Sequence, residues 1–138
     1  VELSKFPWEL LVEGSFNRGA AVLLGFNKDE GTIFLPSRRY KKGHAMTGDD
    51  FSLILTEVWG LNETATRASR NVYALRTRGP EAAIFGNWYW VATHFRGDYM
   101  FSCTARRTAR ALAKLGNASV FSYYFTESPP WDPGPLFG

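Results

Sequence analysis

Residues 20–26 (AAVLLGF) form a continuous apolar run too short for a helix and without polar alternation. Such a run suits a strand buried on both faces, as in a parallel sheet. Asn17-Arg18-Gly19 before it reads as a turn, and Asn27-Lys28-Asp29-Glu30-Gly31 ends it abruptly with polar groups. Residues 119–125 (SVFSYYF) are rich in β-formers and make a second strand. What lies between carries helical spacing. The order strand, several helices, strand predicts two parallel strands linked by a long multi-helix crossover, an α/β arrangement. Two strands alone make a marginal sheet. The remaining strands are therefore expected upstream of Val1, and Val1-Glu2-Leu3 reads as the middle of a longer chain.

The crossover divides into four helices. Thr47 followed by Asp50 reads as an acidic capping box. Phe51, Ile54, Leu55 and Val58 then repeat at helical spacing as far as Gly60. A second helix is expected from Glu63 to about Leu75, with Ala65, Ala68 and Val72 on one face, ended by Gly79-Pro80. A third places Ile84, Trp88, Val91 and Phe95 on one face, with Gly97 as its end. Ser102 is the expected N-cap of a fourth, from Cys103 to Leu115. Its inner face carries Ala105, Ala109, Leu112 and Ala113; its outer face carries Arg106, Arg107, Arg110 and Lys114; Gly116 ends it.

Composition narrows the function. The 138 residues are 45 % hydrophobic and 21 % charged, a globular balance rather than a disordered one. Aromatics reach 16 %, so many must lie in a core or against further protein. The net charge of +3 and the short clusters Arg38-Arg39, Lys41-Lys42 and Arg106-Arg107 fall short of a nucleic-acid stripe. No apolar run reaches the about 20 residues of a membrane span, and no signal peptide is visible. The single cysteine, Cys103, excludes an internal disulfide; it reads either as a small buried residue or as half of a bridge to another segment.

Open α/β sheets carry function at the carboxyl ends of their strands. Glu30 follows the first strand there, and Gly31 after it permits a sharp turn. A carboxylate so placed accepts a histidine N–H, fixes its tautomer and stabilises the imidazolium formed when a serine loses its proton. Acidic turns are common, so the tripeptide Asp29-Glu30-Gly31 alone reads first as a solvated loop.

The wider pattern carries more. Residues 6–11 (FPWELL), 14–17 (GSFN) and 22–35 (VLLGFNKDEGTIFL) resemble the type-B carboxylesterase family, which includes the cholinesterases. Residues 98–103 (DYMFSC), Ala109-Arg110 and the second strand resemble that family's helix entry and late strand. Residues 131–138 (WDPGPLFG) are similar to the run before its His-Gly. The resemblance implies the late portion of an α/β-hydrolase fold and hydrolysis of a small-molecule carboxylic ester by a Ser–Glu–His triad, with no cofactor or metal. Glu30 matches the triad acid. Ile33 and Phe34 match positions lining the substrate gorge, and Ile33, standing where cholinesterases use an aromatic, argues against choline-ester preference. The serine elbow, Gly-x-Ser-x-Gly, belongs upstream and the histidine downstream. The isolated chain is therefore expected to be inactive and to need the rest of the parent domain.

The resemblance also implies that Cys103 pairs beyond this chain, that Asp98 is a structural acid, and that Thr104 replaces a usual proline. With the sequons at Asn62 and Asn117 it points to a secreted glycoprotein. His44 and His94 read as surface or packing histidines. Two alternatives stay open: an inactive adhesion or scaffold homologue of the same fold, and a self-standing binding domain that exposes Trp88, Trp90 and Trp131.

Overall fold

The computed structural model describes residues 2–35, 46–74, 87–115 and 119–127. His44, the clusters Arg38-Arg39 and Lys41-Lys42, Ile84, Asn117, Trp131 and the stretches 79–80 and 131–138 lie outside these residues. The chain divides into two compact units, one of residues 1–28 with 98–138, the other of residues 29–97.

The first unit holds α1 (Pro7–Val12), β1 (Val22–Asn27), α5 (Cys103–Leu115) and β2 (Val120–Phe125). The strands pair in parallel, from Val22↔Val120 to Asn27↔Phe125. The ladder extends one step at each end, Val22 N–H donating to Ser119 O and Lys28 N–H to Phe125 O, both at 2.9 Å. The expected parallel pairing therefore holds, and the helices between the strands, α5 among them, all fall in the crossover. Helix α5 packs on both strands. Alternation leaves Leu23, Phe121, Tyr123 and Phe125 on the uncovered face, each about half exposed or more. Gly25 belongs to this face because a Cβ there would collide with the Tyr123 carbonyl and ring. Parallel sheets are ordinarily covered on both faces. Here, among the described residues of this unit, α5 packs on the strands and the face of Leu23 and Phe121 stays exposed.

Helix α1 was not apparent from periodicity. Its signal is local: Pro7 opens the first turn, and Glu9 Oε2 reaches back to accept the Phe6 N–H at 3.1 Å. On α5 the cationic face is exposed as expected, and the inner face is Ala105, Thr108, Ala109 and Leu112 rather than one including Ala113, which is exposed. Ser102 is not an N-cap. Asp98–Ser102 form a π-helical turn that runs directly into Cys103, so no free helix end exists for Ser102 to satisfy. Cys103 is exposed with a free thiol, which removes its reading as a buried residue. Arg107 lies over the Trp8 ring at 4.3 Å, fastening α1 to α5.

The second unit is helical: α2 (Gly48–Leu53), α3 (Glu63–Ala74) and α4 (Asn87–Gly97). Its core is Leu35, Met46, Phe51, Ile54, Leu55, Val91, Ala92 and Phe95. Phe95 anchors an aromatic cluster. It stacks on Trp59 at 5.3 Å and meets Phe51 and Tyr73 edge-on at 5.9 and 5.3 Å. Trp88 packs against the core beside Phe51 at 5.7 Å, on the apolar face expected for its helix, and Trp90 is half-buried beside Tyr89; neither is the open aromatic that a self-standing binding domain would present. Burial pushes the Tyr89 hydroxyl up from its ordinary value, which keeps it neutral.

Thr47 caps α2 as its sequence implies. Thr47 Oγ1 accepts the Asp50 N–H at 3.2 Å, and Asp50 Oδ2 accepts the Thr47 N–H at 2.8 Å. Thr47→Ala, losing one half of this exchange at an exposed site, is expected to cost about 1 kcal/mol in urea denaturation. After Leu53 the backbone widens into a π turn, Ile54–Val58, closed by Trp59 N–H to Ile54 O at 3.1 Å. The extra residue in that turn rotates Val58 off the buried stripe, leaving it 52 % exposed despite its helical spacing. Gly60 then ends the helix at φ 69°, a left-handed conformation that favours glycine. The inward face of α3 also differs from expectation: Ala68 and Val72 are exposed, while Thr66, Ser69, Arg70 and Tyr73 face inward. Tyr73 packing on Phe95 and Arg70 reaching toward α2 decide the rotation, because they gain more contact than two alanines and a valine. Gly97 does not adopt a left-handed cap; the chain passes from it directly into the π turn.

Candidate functional site

Glu30 lies three residues after the last residue of β1, in a turn over residues 28–31, and is half-buried. The turn closes locally. Thr32 N–H donates to Asp29 O at 3.2 Å, and Thr32 Oγ1 donates to the same oxygen at 2.8 Å. A 3-10 turn, Thr32–Phe34, follows, with Phe34 N–H bonded to Gly31 O at 3.2 Å. Glu30 is thus followed within one short, hydrogen-bonded segment by Ile33, 62 % exposed, and Phe34, 38 % exposed. Two apolar side chains held open to solvent beside a carboxylate are unfavourable for folding alone and suited to contact with something else.

Gly31 anchors this segment. It is buried against α4, and a Cβ there would overlap the Thr93 carbonyl oxygen and lie 2.7 Å from its carbon and 2.8 Å from Gly97 N. Its φ of −75° is open to any residue. The requirement for glycine is close backbone approach to α4, not the unusual turn conformation that the sequence suggested.

The carboxylate thus has a fixed main-chain support and a partly exposed head. Such a group orients a hydrogen-bond donor and balances a developing positive charge. His94, on α4 and half-buried, makes no ion pair among the described residues, and no cluster of His, Cys, Asp and Glu there could hold a metal. Asp98 is half-buried at the start of the second π turn. Asn62 is exposed, and its Oδ1 accepts the Ala65 N–H at 2.9 Å at the start of α3. No described helix is long and apolar enough to cross a membrane.

No family model matches the chain. In an alignment 137 positions long that covers 91 % of the chain, it is 30 % identical to an acetylcholinesterase of Leptinotarsa decemlineata. The chain spans about a fifth of the length of that curated relative (20 %). Taken with the parallel strand pair and its helical crossover, the match supports a distant, cholinesterase-like relationship for this stretch.

Proposed function

We propose that this chain supplies the acid of a Ser–Glu–His carboxylic-ester hydrolase of α/β-hydrolase fold. Glu30 accepts the N–H of a histidine provided by the rest of the protein. That histidine takes the proton of a serine Oγ as it attacks the ester carbonyl, and returns it to the departing alcohol. In the second half, the histidine takes a proton from water as the water oxygen attacks the acyl-serine carbonyl, and gives that proton to the serine Oγ as the bond to the carboxylic acid breaks. Glu30 stays ionised throughout and stabilises the imidazolium in both halves. Ile33 and Phe34 contact the substrate's apolar part.

The observation that carries this reading is the parallel pairing of β1 and β2 across a helical crossover, with the Glu30 turn leaving the carboxyl end of β1 in the chain. The acetylcholinesterase match runs through the same residues. The uncovered sheet face calls for more protein, in keeping with a serine and a histidine that come from elsewhere. The exposed Asn62 leaves its sequon open to a glycan, and the exposed Cys103 is open to a partner cysteine, as a secreted glycoprotein would need.

Turnover of a nitrophenyl ester tests the proposal. The protein carrying this chain is expected to hydrolyse it and to be labelled by a fluorophosphonate at serine. The 138-residue chain alone is expected to do neither. An intact protein without turnover or label would favour the adhesion or scaffold homologue. Turnover by the chain alone, abolished by Glu30→Gln, would overturn the need for outside residues.

A further inference from the structure

A groove of about 400 Å³ runs between α2 and α3 in the helical unit, apart from the Glu30 segment in sequence. Its size lies at the lower end of the range for small-molecule sites. Asp49, Leu53, Glu63, Thr66, Arg67 and Arg70 contribute to its lining.

The charges divide into a closed pair and an open one. Arg70 Nη1 lies 2.9 Å from Asp49 Oδ1 and donates to Ser52 Oγ at 3.3 Å, while its guanidinium sits over Trp88 at 5.7 Å. Those two charges satisfy each other. Glu63 and Arg67 are one turn apart on α3 and face the same groove, yet neither forms an ion pair among the described residues. The groove therefore offers one open anion and one open cation.

Thr66 lies between them and is 7 % exposed, with its Oγ1 buried and lacking a hydrogen-bond partner. A buried hydroxyl without a partner is unfavourable, and native structures rarely keep one. In a helix, threonine has two accessible χ1 rotamers. Rotation from one to the other would exchange the positions of methyl and hydroxyl, and a hydroxyl so brought to the groove would gain a partner from a ligand there. Leu53, 38 % exposed, supplies an apolar wall.

We propose that this groove binds a small zwitterion with an apolar side chain, of the free α-amino-acid class. Its carboxylate pairs with Arg67, its ammonium with Glu63, and a carboxylate oxygen accepts from Thr66 Oγ1, while the side chain covers Leu53. A guanidinium suits a carboxylate through paired N–H donors. The inference is independent of the ester-hydrolase reading, since none of these residues belongs to the Glu30 segment.

The test is calorimetric titration of the protein carrying this chain with L-leucine, L-leucinamide and 4-methylpentanoate. The amide lacks the carboxylate and the acid lacks the ammonium. Leucine is expected to bind saturably with a Kd of about 1 mM or tighter, the range open to a ligand of so few atoms. Both analogues are expected to bind at least about 10-fold more weakly, one charged contact being worth roughly that much. Arg67→Gln should bring leucine down to the level of the amide. Thr66→Val, which keeps the shape and removes the orphan hydroxyl, should weaken leucine about 5-fold without lowering the melting temperature. Nuclear magnetic resonance supplies the second readout: the Thr66 χ1 coupling changes on adding leucine. No saturable heat with leucine, equal affinity for all three compounds, or Thr66→Val binding as the parent does would each overturn the site.

Discussion

Glu30→Gln is expected to lower kcat for ester hydrolysis by about 10⁴-fold in the protein that carries this chain, with KM little changed. That fold-change corresponds to about 5.5 kcal/mol of transition-state stabilisation. Glutamine keeps the length and volume of glutamate, so the turn over residues 28–31 and its hydrogen bonds to Asp29 O persist. What disappears is the negative charge that an imidazolium needs as the serine proton arrives, along with the preference for one histidine tautomer. The damage is therefore confined to kcat. Glu30→Asp keeps the charge but withdraws it by one methylene, and is expected to retain more activity than the glutamine variant. Glu57→Gln, at an exposed carboxylate on the first π turn, should leave turnover unchanged and controls for net charge. A Glu30→Gln protein within tenfold of the parent would end the assignment of Glu30 as the triad acid.

The strands and their direction were legible because both are continuous β-forming runs bounded by turn residues. Parallel pairing followed from the crossover length alone, and the pairing from Val22 to Asn27 bears it out. The Thr47–Asp50 cap was legible for the same reason: a cap is a local exchange between residues three apart. Helix faces were less so. Of the expected face on α3, Ala65 is half-buried but Ala68 and Val72 are exposed, because Tyr73 and Arg70 have longer reach and their contacts with Phe95 and Asp49 rotate the buried stripe. The two π turns left no sequence signal. Each adds a residue to a helical turn, which expelled Val58 from the core and removed the helix end that Ser102 would have capped. For the site, Glu30 was singled out by its place after a strand, and Ile33 and Phe34 only by the resemblance to the type-B carboxylesterases. The role of Gly31 was missed in kind, since close approach to a distant helix has no mark in the tripeptide itself.

That close approach makes Gly31→Ala the most damaging single methyl group in the helical unit. An added Cβ would overlap the Thr93 carbonyl oxygen and stand 2.7 Å from the Thr93 carbonyl carbon and 2.8 Å from Gly97 N. All three are backbone atoms of a packed helix, so no side-chain rotation relieves the clash. Either the turn moves away or α4 bends. Overpacking of this kind usually costs 1–3 kcal/mol, and backbone obstruction places Gly31→Ala at about 3 kcal/mol or more. Gly97→Ala measures the same contact from the other side. Its Cβ would lie 3.4 Å from Gly31 N, close enough to require a few tenths of an ångström of adjustment and no more. It is expected to cost about 1 kcal/mol. Urea denaturation of both variants checks the contrast through the midpoint, with the slope unchanged. Because Glu30 is bonded directly to Gly31, any Gly31→Ala protein that still folds carries its carboxylate displaced by the same movement. A shift of about 1 Å in a catalytic group reduces rate by about 10²-fold, so activity is expected to fall even in the folded fraction. Gly31→Ala as stable as the parent to within 0.5 kcal/mol would mean that the turn is not held against α4 by backbone contact, and that the position of Glu30 has some other support.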